Sequence, residues 1–238
     1  MHTSAPTHPY KHHRFPAEII SHGVWLYFRF CLSYRDVEEL LFARGVIVTY
    51  EAIRKWCRKF GQSYANEIRY RRPRPGDKWH LDEVFLTIHG ARHYLWRAVD
   101  QDGHVLDILV QSRRNKKAAK RFFRKLLKGC QYVPRVIITD KLASYGAAKR
   151  ELLPSVEHRQ HRYRNNRAEN SHQPTRQRER RMQGFKSPGH AQRFLSAYGP
   201  IAQHFRPRRH LLSGAAYRQE MKNRFESWAD ITGTKRAA

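Results

Sequence analysis

The chain has 238 residues and carries 47 lysines and arginines against 20 aspartates and glutamates, a formal net charge of +27. An apolar share of 40% supports a folded core and excludes a disordered polybasic tail, and no apolar run is long enough for a membrane-spanning helix. The charge predicts a polyanionic partner, first nucleic acid and second an anionic membrane surface. Residues 1–15 are predicted to be a loose arm, and they lack the apolar core of a signal peptide, which favours a cytoplasmic location.

Residues 16–68 are predicted to form an all-α helix-turn-helix domain. Ser33 and Asp36 have the spacing of a capping box at the start of one helix, Gly45 follows its end, and Thr49 can cap the next helix. A plain three-helix bundle has the same pattern, but the basic charge of the chain favours DNA binding. The residues of the second helix predicted to face a major groove are Tyr50, Glu51, Arg54, Lys55 and Arg58.

A basic linker at 69–78 separates this domain from a predicted α/β core at 79–205. Two prolines and a glycine in the linker stop regular structure, and its arginines suit contact with a DNA backbone. The core is predicted to contain strands at 79–88, 94–99, 105–110 and 136–138, with a helix at 113–128 before the last of these. Residues 206–238 are predicted to be a helical segment, to which the sequence assigns no chemistry.

Three acidic residues are candidates for a functional site because of their positions in the predicted elements. Asp82 lies inside an apolar strand, and Asp140 follows the apolar run 136–138, where α/β sheets present polar groups to a crevice. A strand-edge aspartate paired with an arginine, or an aspartate that caps a helix, would give the same pattern. Glu169 or Glu179 can supply a third carboxylate from a later helix, and ordinary surface salt bridges explain Glu179.

Carboxylates that converge from two strands and a helix form a site for two divalent metal ions roughly 3.5–4 Å apart. Hard oxygen ligands favour Mg²⁺ or Mn²⁺. We therefore predict that Asp82, Asp140 and Glu169 are both the metal ligands and the catalytic residues. Such a site activates an attacking oxygen and stabilises the leaving oxygen in a phosphodiester displacement.

The order Asp82, Asp140, Glu169 resembles the acidic triad of RNase H-like transposases and integrases. The chain more narrowly resembles the IS-six family of bacterial insertion-sequence transposases. The segments that carry this resemblance are WHLDE at 79–83, LWRAVD at 95–100, TDK at 139–141, VEHRQ at 156–160, the stretch 165–172 and GFKS at 184–187. Only 28 residues separate Asp140 from Glu169, fewer than the family pattern has, and a shortened loop around 152–155 would account for the difference.

The resemblance implies an RNase H-like mixed-sheet core and two Mg²⁺ or Mn²⁺ ions in each active site. It implies double-stranded DNA partners, namely the terminal inverted repeats of an insertion sequence and the target DNA. It also implies strand transfer by a 3′-hydroxyl without a covalent enzyme intermediate. Chemistry on paired DNA ends implies a homodimer or a larger assembly in the bacterial cytoplasm, associated with the nucleoid and with no membrane partner.

Basic residues near the predicted active site are interpreted as phosphate contacts. Residues 159–181 hold eight arginines against two glutamates, and a solvated charged surface is the alternative interpretation. By the resemblance, Arg176 corresponds to the basic residue that the family has seven positions after the glutamate. The other DNA contacts predicted in the core are Lys141, Arg162 and Arg167.

Several competing interpretations receive less support. Three widely spaced cysteines give neither a disulfide framework nor a zinc ribbon, and His158 with His161 lacks a third zinc ligand. The pair His161 and Arg164, with Tyr198 later, outlines a tyrosine recombinase, but the strands before it argue against that largely helical fold. A catalytically inactive, sequence-specific DNA-binding regulator or scaffold remains the alternative function.

Overall fold

The computed structural model describes residues 9–161 and 165–234. Its strands are β1 (Lys78–Ile88), β2 (Ala91–Asp100), β3 (Val105–Gln111), β4 (Val136–Thr139) and β5 (Glu157–Gln160). Its helices are α1 (Ala17–Arg29), α2 (Tyr34–Phe42), α3 (Tyr50–Tyr70), α4 (Lys116–Cys130), α5 (Ala143–Leu152), α6 (Asn166–Arg181), α7 (Pro188–His204) and α8 (Gly214–Thr232), with a 3-10 turn at Arg209–Leu211. Within these described ranges, no helix has the length and apolarity to cross a membrane.

The chain divides into two compact units, of which the first contains the residues up to Tyr70 and those from Ile201 onward. Helices α2 and α3 begin as the sequence predicts. Ser33 and Asp36 form a reciprocal capping box, and the Thr49 hydroxyl accepts a hydrogen bond from the Ala52 amide at 3.3 Å. Gly45 has a φ of +75° in the turn between the helices, a conformation that favours glycine.

Aromatic side chains connect the N-terminal helices with α8 inside this unit. Trp228 of α8 packs edge-on against Tyr64 of α3, with ring centroids 5.2 Å apart, and also against Phe205. In the predicted arm, Tyr10 is buried beside Phe60 and its hydroxyl donates to the Thr232 carbonyl at 2.6 Å. Helix α8, which belongs to the C-terminal segment without assigned chemistry, therefore contributes to the core of the first unit.

The second unit, Arg71–Pro200, contains a five-stranded mixed sheet in the order β3-β2-β1-β4-β5. Strands β1, β2 and β3 form an antiparallel meander, whereas β4 runs parallel to β1 and β5 runs parallel to β4. This sheet confirms the predicted RNase H-like α/β core, and the helical region before it is confirmed as well.

Helices cover both faces of the sheet. On one face, α4 and α5 pack on a core that includes Trp79, Leu81, Trp96, Phe122 and Tyr145. On the other face, α6 packs against β1 and β2. Alternate residues of β1 therefore point toward different helices, which decides what each acid of this strand contacts.

Two short elements were not predicted. Helix α5 and strand β5 lie between Asp140 and α6, and the connection between them is short, from residue 153 to residue 156. This is the place where the sequence predicted a shortened loop. Helix α7, which carries a proline within it, was also absent from the predicted elements.

Candidate active site

Strands β1 and β4 bring Asp82 and Asp140 to neighbouring positions. The last residue pair of these parallel strands is His80 with Ile138; Asp82 lies two residues further along β1, and Asp140 lies two residues after Ile138, just beyond the end of β4. Adjacent strands are about 4.8 Å apart. The Oδ1 atom of Asp140 accepts a hydrogen bond from the Leu142 amide at 3.0 Å, which holds the turn into α5.

Asp82 is a buried carboxylate on the face of the sheet that α6 covers. Burial raises its pKa to about 6, although the charges of Arg114 and Arg97 act in the opposite direction. The Nε2 atom of His172 on α6 lies 3.4 Å from Asp82 Oδ2. Burial, together with the positive charges of Arg97 and Arg176, holds the pKa of His172 well below its usual value, so this ring is neutral.

Glu83 is a fourth acid of the site that the sequence analysis did not select. It points to the opposite face from Asp82, its side chain is 2% exposed, and Oε1 lies 2.7 Å from Arg114 Nε. Burial, with the negative charges of Asp140 and Asp82, raises the pKa of Glu83 to about 7, although Tyr145 and Arg114 act in the opposite direction. The alternation of side chains along β1 predicts that Glu83 faces away from Asp82. Its partners Arg114 and Tyr145 could not be predicted, because they come from distant parts of the chain.

Glu169 lies in the first turn of α6, one helical turn before His172. The start of this helix is fixed to β1 by the Asn165 side chain, which donates to the Leu81 carbonyl at 2.7 Å. Residues three apart are neighbours on a helix surface, so Glu169 precedes the residue that contacts Asp82 by one turn. Glu169 is nevertheless exposed, whereas Asp82 is buried.

The three predicted ligands do not form a compact oxygen cluster. Among the described residues, one group of three acids or histidines has ligand atoms that all lie within 4.8 Å of one another, and it is Asp100, Asp102 and His104 at the β2–β3 turn. Asp100 Oδ1 already accepts hydrogen bonds from the amides of Asp102 and His104. These bonds hold the β2–β3 turn together, so the group has a structural role.

The site beside the middle of β1 and the end of β4 fits a divalent cation. Asp82 and Glu83 are buried carboxylates whose pKa values are raised, and the charge of Asp140 acts on the same region. A buried negative charge is unfavourable unless a cation or a metal compensates it. Asp82 and Asp140, with Glu169 from α6, offer the hard oxygen ligands that Mg²⁺ and Mn²⁺ prefer.

The predicted DNA contacts of the core lie around this site. Lys141 is exposed next to Asp140, and Arg167 is exposed in the first turn of α6. Arg176 lies 5.4 Å from the centre of the half-exposed Phe85 ring and 3.3 Å from Glu179. Arg162 lies outside the described residues.

The predicted contacts of α3 belong to the other unit. Lys55 and Arg58 are exposed, and the Arg54 guanidinium pairs with Glu51 at 2.6 Å. The Tyr50 ring lies under the guanidinium of Arg35, at 4.9 Å. Ile53 and Trp56 are buried on the opposite side of the helix.

Comparisons with known proteins show the family to which the chain belongs. A family model described as a DDE domain matches residues 76–208. The transposase for insertion sequence element IS257 in transposon Tn4003, from Staphylococcus aureus, is 29% identical over 184 residues, which cover 75% of this chain and 81% of that relative. The transposase for insertion sequence-like element IS431mec, from Staphylococcus aureus strain Mu50, is similar to the same extent.

A solved structure of a simian T-cell lymphotropic virus intasome, in complex with PP2A regulatory subunit B56 gamma, also resembles part of the chain. The likeness has a TM-score of 0.36 and 18% identity, and it covers 44% of this chain and 39% of the other. This overlap is too slight to add to the family match.

Proposed function

We propose that this chain, which belongs to the DDE transposase family, binds the terminal inverted repeats of an insertion sequence and joins them to target DNA. The reaction is metal-dependent cleavage followed by attack of a 3′-hydroxyl on a target phosphodiester. The observation that carries the proposal is the position of Asp82 on β1 and of Asp140 just after the adjacent strand β4, with Glu169 one helical turn from the residue that contacts Asp82.

In this proposal Asp82 and Asp140 hold the metal ions together with Glu169. The divalent ions supply an activated oxygen nucleophile and stabilise the leaving oxygen. The neutral His172 ring and the surrounding helix shield Asp82 from water and keep its carboxylate oriented. During strand transfer a bond forms between the 3′-oxygen and phosphorus while the bridging P–O bond of the target breaks, so no bond to the protein is made.

Two basic surfaces would hold the DNA. The exposed side of α3 would contact the repeat through its predicted major-groove residues. On α4, four cations at helical spacing share the outer face, and we call them the α4 stripe: Lys117, Arg121, Arg124 and Lys128. No ion pair of these four occurs within residues 9–161 and 165–234, and α4 contains no acid at all.

The position of the α4 stripe suits DNA that approaches the active site. Arg114, just before α4, pairs with Glu83 beside Asp82 and Asp140, so the stripe begins near the acidic residues. Like charges at i and i+4 destabilise a helix, which a polyanion would offset. We extend the proposal to an assembly of at least two copies on paired DNA ends, in the bacterial cytoplasm and close to the nucleoid.

A nicking assay tests the proposed function. An oligonucleotide duplex that ends in the cognate repeat is incubated with the full chain in Mg²⁺ or in EDTA, and binding is measured on the same DNA. We expect metal-dependent nicking at the repeat end and joined products with a target duplex. Tight repeat binding without nicking in Mg²⁺ or Mn²⁺ would overturn the enzymatic proposal in favour of a DNA-binding regulator or scaffold.

A further inference from the structure

Arg97 is a buried cation placed between Asp82 and the helix that carries Glu169. It lies on β2 directly opposite Asp82 of β1, so both side chains leave the same face of the sheet. Only 5% of the residue is exposed. Burial lowers the pKa of Arg97 to about 10, and the negative charge of Asp82 partly opposes this effect.

The guanidinium of Arg97 contacts α6 at two successive turns. Its Nη1 atom donates to the Ser171 carbonyl, and its Nη2 atom donates to the Thr175 hydroxyl. Two acceptors four residues apart on a helix suit the planar fork of an arginine, whereas a lysine presents a single ammonium group.

These contacts occur where α6 lacks a backbone donor. Pro174 lies inside the helix and has no N–H, so the usual hydrogen bond to the Asn170 carbonyl is missing. The Tyr198 hydroxyl donates to the Pro174 carbonyl at 3.3 Å, so side chains from outside the helix contact its backbone on both sides of this break. The backbone hydrogen-bond ladder of α6 is therefore interrupted in the middle of the helix, next to the contacts of Arg97.

We propose that Arg97 is a positioning residue that fixes the N-terminal half of α6, and with it Glu169, relative to Asp82. Ser171 is two residues after Glu169, which is about 3 Å along the helix axis. A shift of α6 at the Arg97 contact therefore moves the Glu169 carboxylate by a similar amount. The metal-ligand role of Glu169 in this inference rests on the proposed function.

Three variants of the full chain test the inference. Arg97→Met removes the donors at similar volume, Arg97→Lys keeps the charge, and Arg178→Met is the matched control. Arg178, on α6, is a buried arginine like Arg97. Its guanidinium lies over the Phe194 ring, 5.5 Å from the ring centroid. The readouts are the Mg²⁺ concentration that gives half of the metal-induced rise in Tm, and the amide hydrogen exchange of residues 166–173 without metal.

We expect Arg97→Met to raise the half-saturating Mg²⁺ concentration by about 10- to 100-fold, the range found when residues behind metal ligands are lost. Exchange of residues 166–173 should become faster, and Arg97→Lys should recover part of both effects. Arg178→Met should lower the Tm while leaving both readouts as in the wild type. If Arg97→Met only lowered the Tm, as the control does, the inference would be overturned.

A milder variant tests the positioning role of Arg97 if Arg97→Met does not fold. Thr175→Val removes one acceptor at nearly constant volume, and a severalfold rise in half-saturating Mg²⁺ is expected; an unchanged value would count against the positioning role. The nicking assay on the wild type separates the two proposals. If the wild type never nicks repeat DNA, the proposed function fails, while hydrogen exchange of residues 166–173 still reports on Arg97.

Discussion

The second unit contains two acidic clusters, and they differ in how their charge is compensated. At the β2–β3 turn, Asp100 accepts two backbone amides, and these bonds together with His104 hold the pKa of Asp100 below its usual value despite its burial. In the middle of β1, beside the end of β4, burial raises the pKa values of Asp82 and Glu83 to about 6 and about 7. In the first cluster, backbone amides stabilise the ionised carboxylate of Asp100, whereas in the second cluster burial destabilises the ionised carboxylates.

This comparison shows why short distances between oxygens do not identify the functional site. The turn cluster has the shorter distances, but its hydrogen bonds already satisfy Asp100. At the site around Asp82, burial raises the pKa values of two carboxylates despite nearby arginines, and a bound cation would stabilise their ionised forms. Carboxylates with pKa values perturbed by burial, rather than proximity alone, are typical of a functional site.

The largest difference between the clusters should appear on removal of one carboxylate charge. Asp82→Asn should reduce strand transfer by at least about 10²-fold, the scale of losing one electrostatic contribution to a transition state, while repeat binding is retained. Asp102→Asn, the matched change at the turn, should leave the rate unchanged. Single-turnover formation of joined product at saturating DNA measures both. Equal losses in the two variants would remove the distinction between the clusters.

A smaller loss is expected at Glu83, which lies beside the predicted ligands. Glu83→Gln should raise the Mg²⁺ concentration needed for half-maximal cleavage by about 10- to 100-fold, because it removes the ion pair with Arg114 next to Asp82. Metal titration of cleavage measures the effect, with Glu151→Gln as a control in which an exposed pair with Lys116 and Lys120 is lost. A wild-type metal profile for Glu83→Gln would limit the site to the three predicted acids.

The clusters should also respond to pH in opposite directions. Without metal, the raised pKa values of Asp82 and Glu83 mean that the folded state binds more protons than the unfolded state between about pH 4 and pH 7. Their contribution to the free energy of unfolding therefore falls as pH rises through that window, by about 1.4 kcal/mol per unit of pKa shift. Asp100 has a lowered pKa, so its contribution is present above about pH 4 and is lost as pH falls.

Urea denaturation at pH 5 and pH 7.5 in EDTA separates the two responses, because the contribution of Asp82 changes between these pH values and that of Asp100 does not. Because buried histidines such as His172 titrate in the opposite sense to Asp82, the quantity compared is the difference between the wild type and each variant. Asp82→Asn should gain stability relative to the wild type as pH rises, and Asp100→Asn should lose stability at both pH values. The same pH response in both variants would contradict the assignment.

The sequence predicted those parts of the fold and site that depend on local pattern. The capping residues Ser33 and Thr49, the strands of the meander and the position of Asp140 after a buried strand follow from neighbouring residues. Strand β5 could not be predicted because its four residues, EHRQ, are polar and mostly exposed, and their pairing with β4 is non-local.

The surroundings of Asp82 could not be predicted for a related reason. The contacts of Arg97 and His172 depend on the register of β1 with β2 and on the packing of α6 across them. No spacing along the chain determines that register. The alternation of β1 did predict that Asp82 and Glu83 face opposite sides, but it did not show that Asp140 acts on Glu83.

The smallest expected effect concerns the α4 stripe rather than either acidic cluster. Replacing Lys117, Arg121, Arg124 and Lys128 by Gln should reduce the salt dependence of DNA binding by about 0.9 in the log–log slope for each phosphate contact that is lost. Replacing Lys116 and Lys120, which already pair with Glu151, should change the slope less. Fluorescence anisotropy between 50 and 200 mM salt covers the range in which such slopes are measured. An unchanged slope in the fourfold variant would exclude α4 as a DNA contact.

The central claim is that Glu169 completes a site with Asp82 and Asp140, and the two acids of α6 allow a direct test. Glu169→Gln and Glu179→Gln are compared for formation of joined product in Mg²⁺, with equal amounts of bound repeat DNA. We predict that Glu169→Gln forms no joined product and that Glu179→Gln forms it within a few-fold of the wild type. Wild-type joining by Glu169→Gln, with joining lost in Glu179→Gln, would contradict the claim.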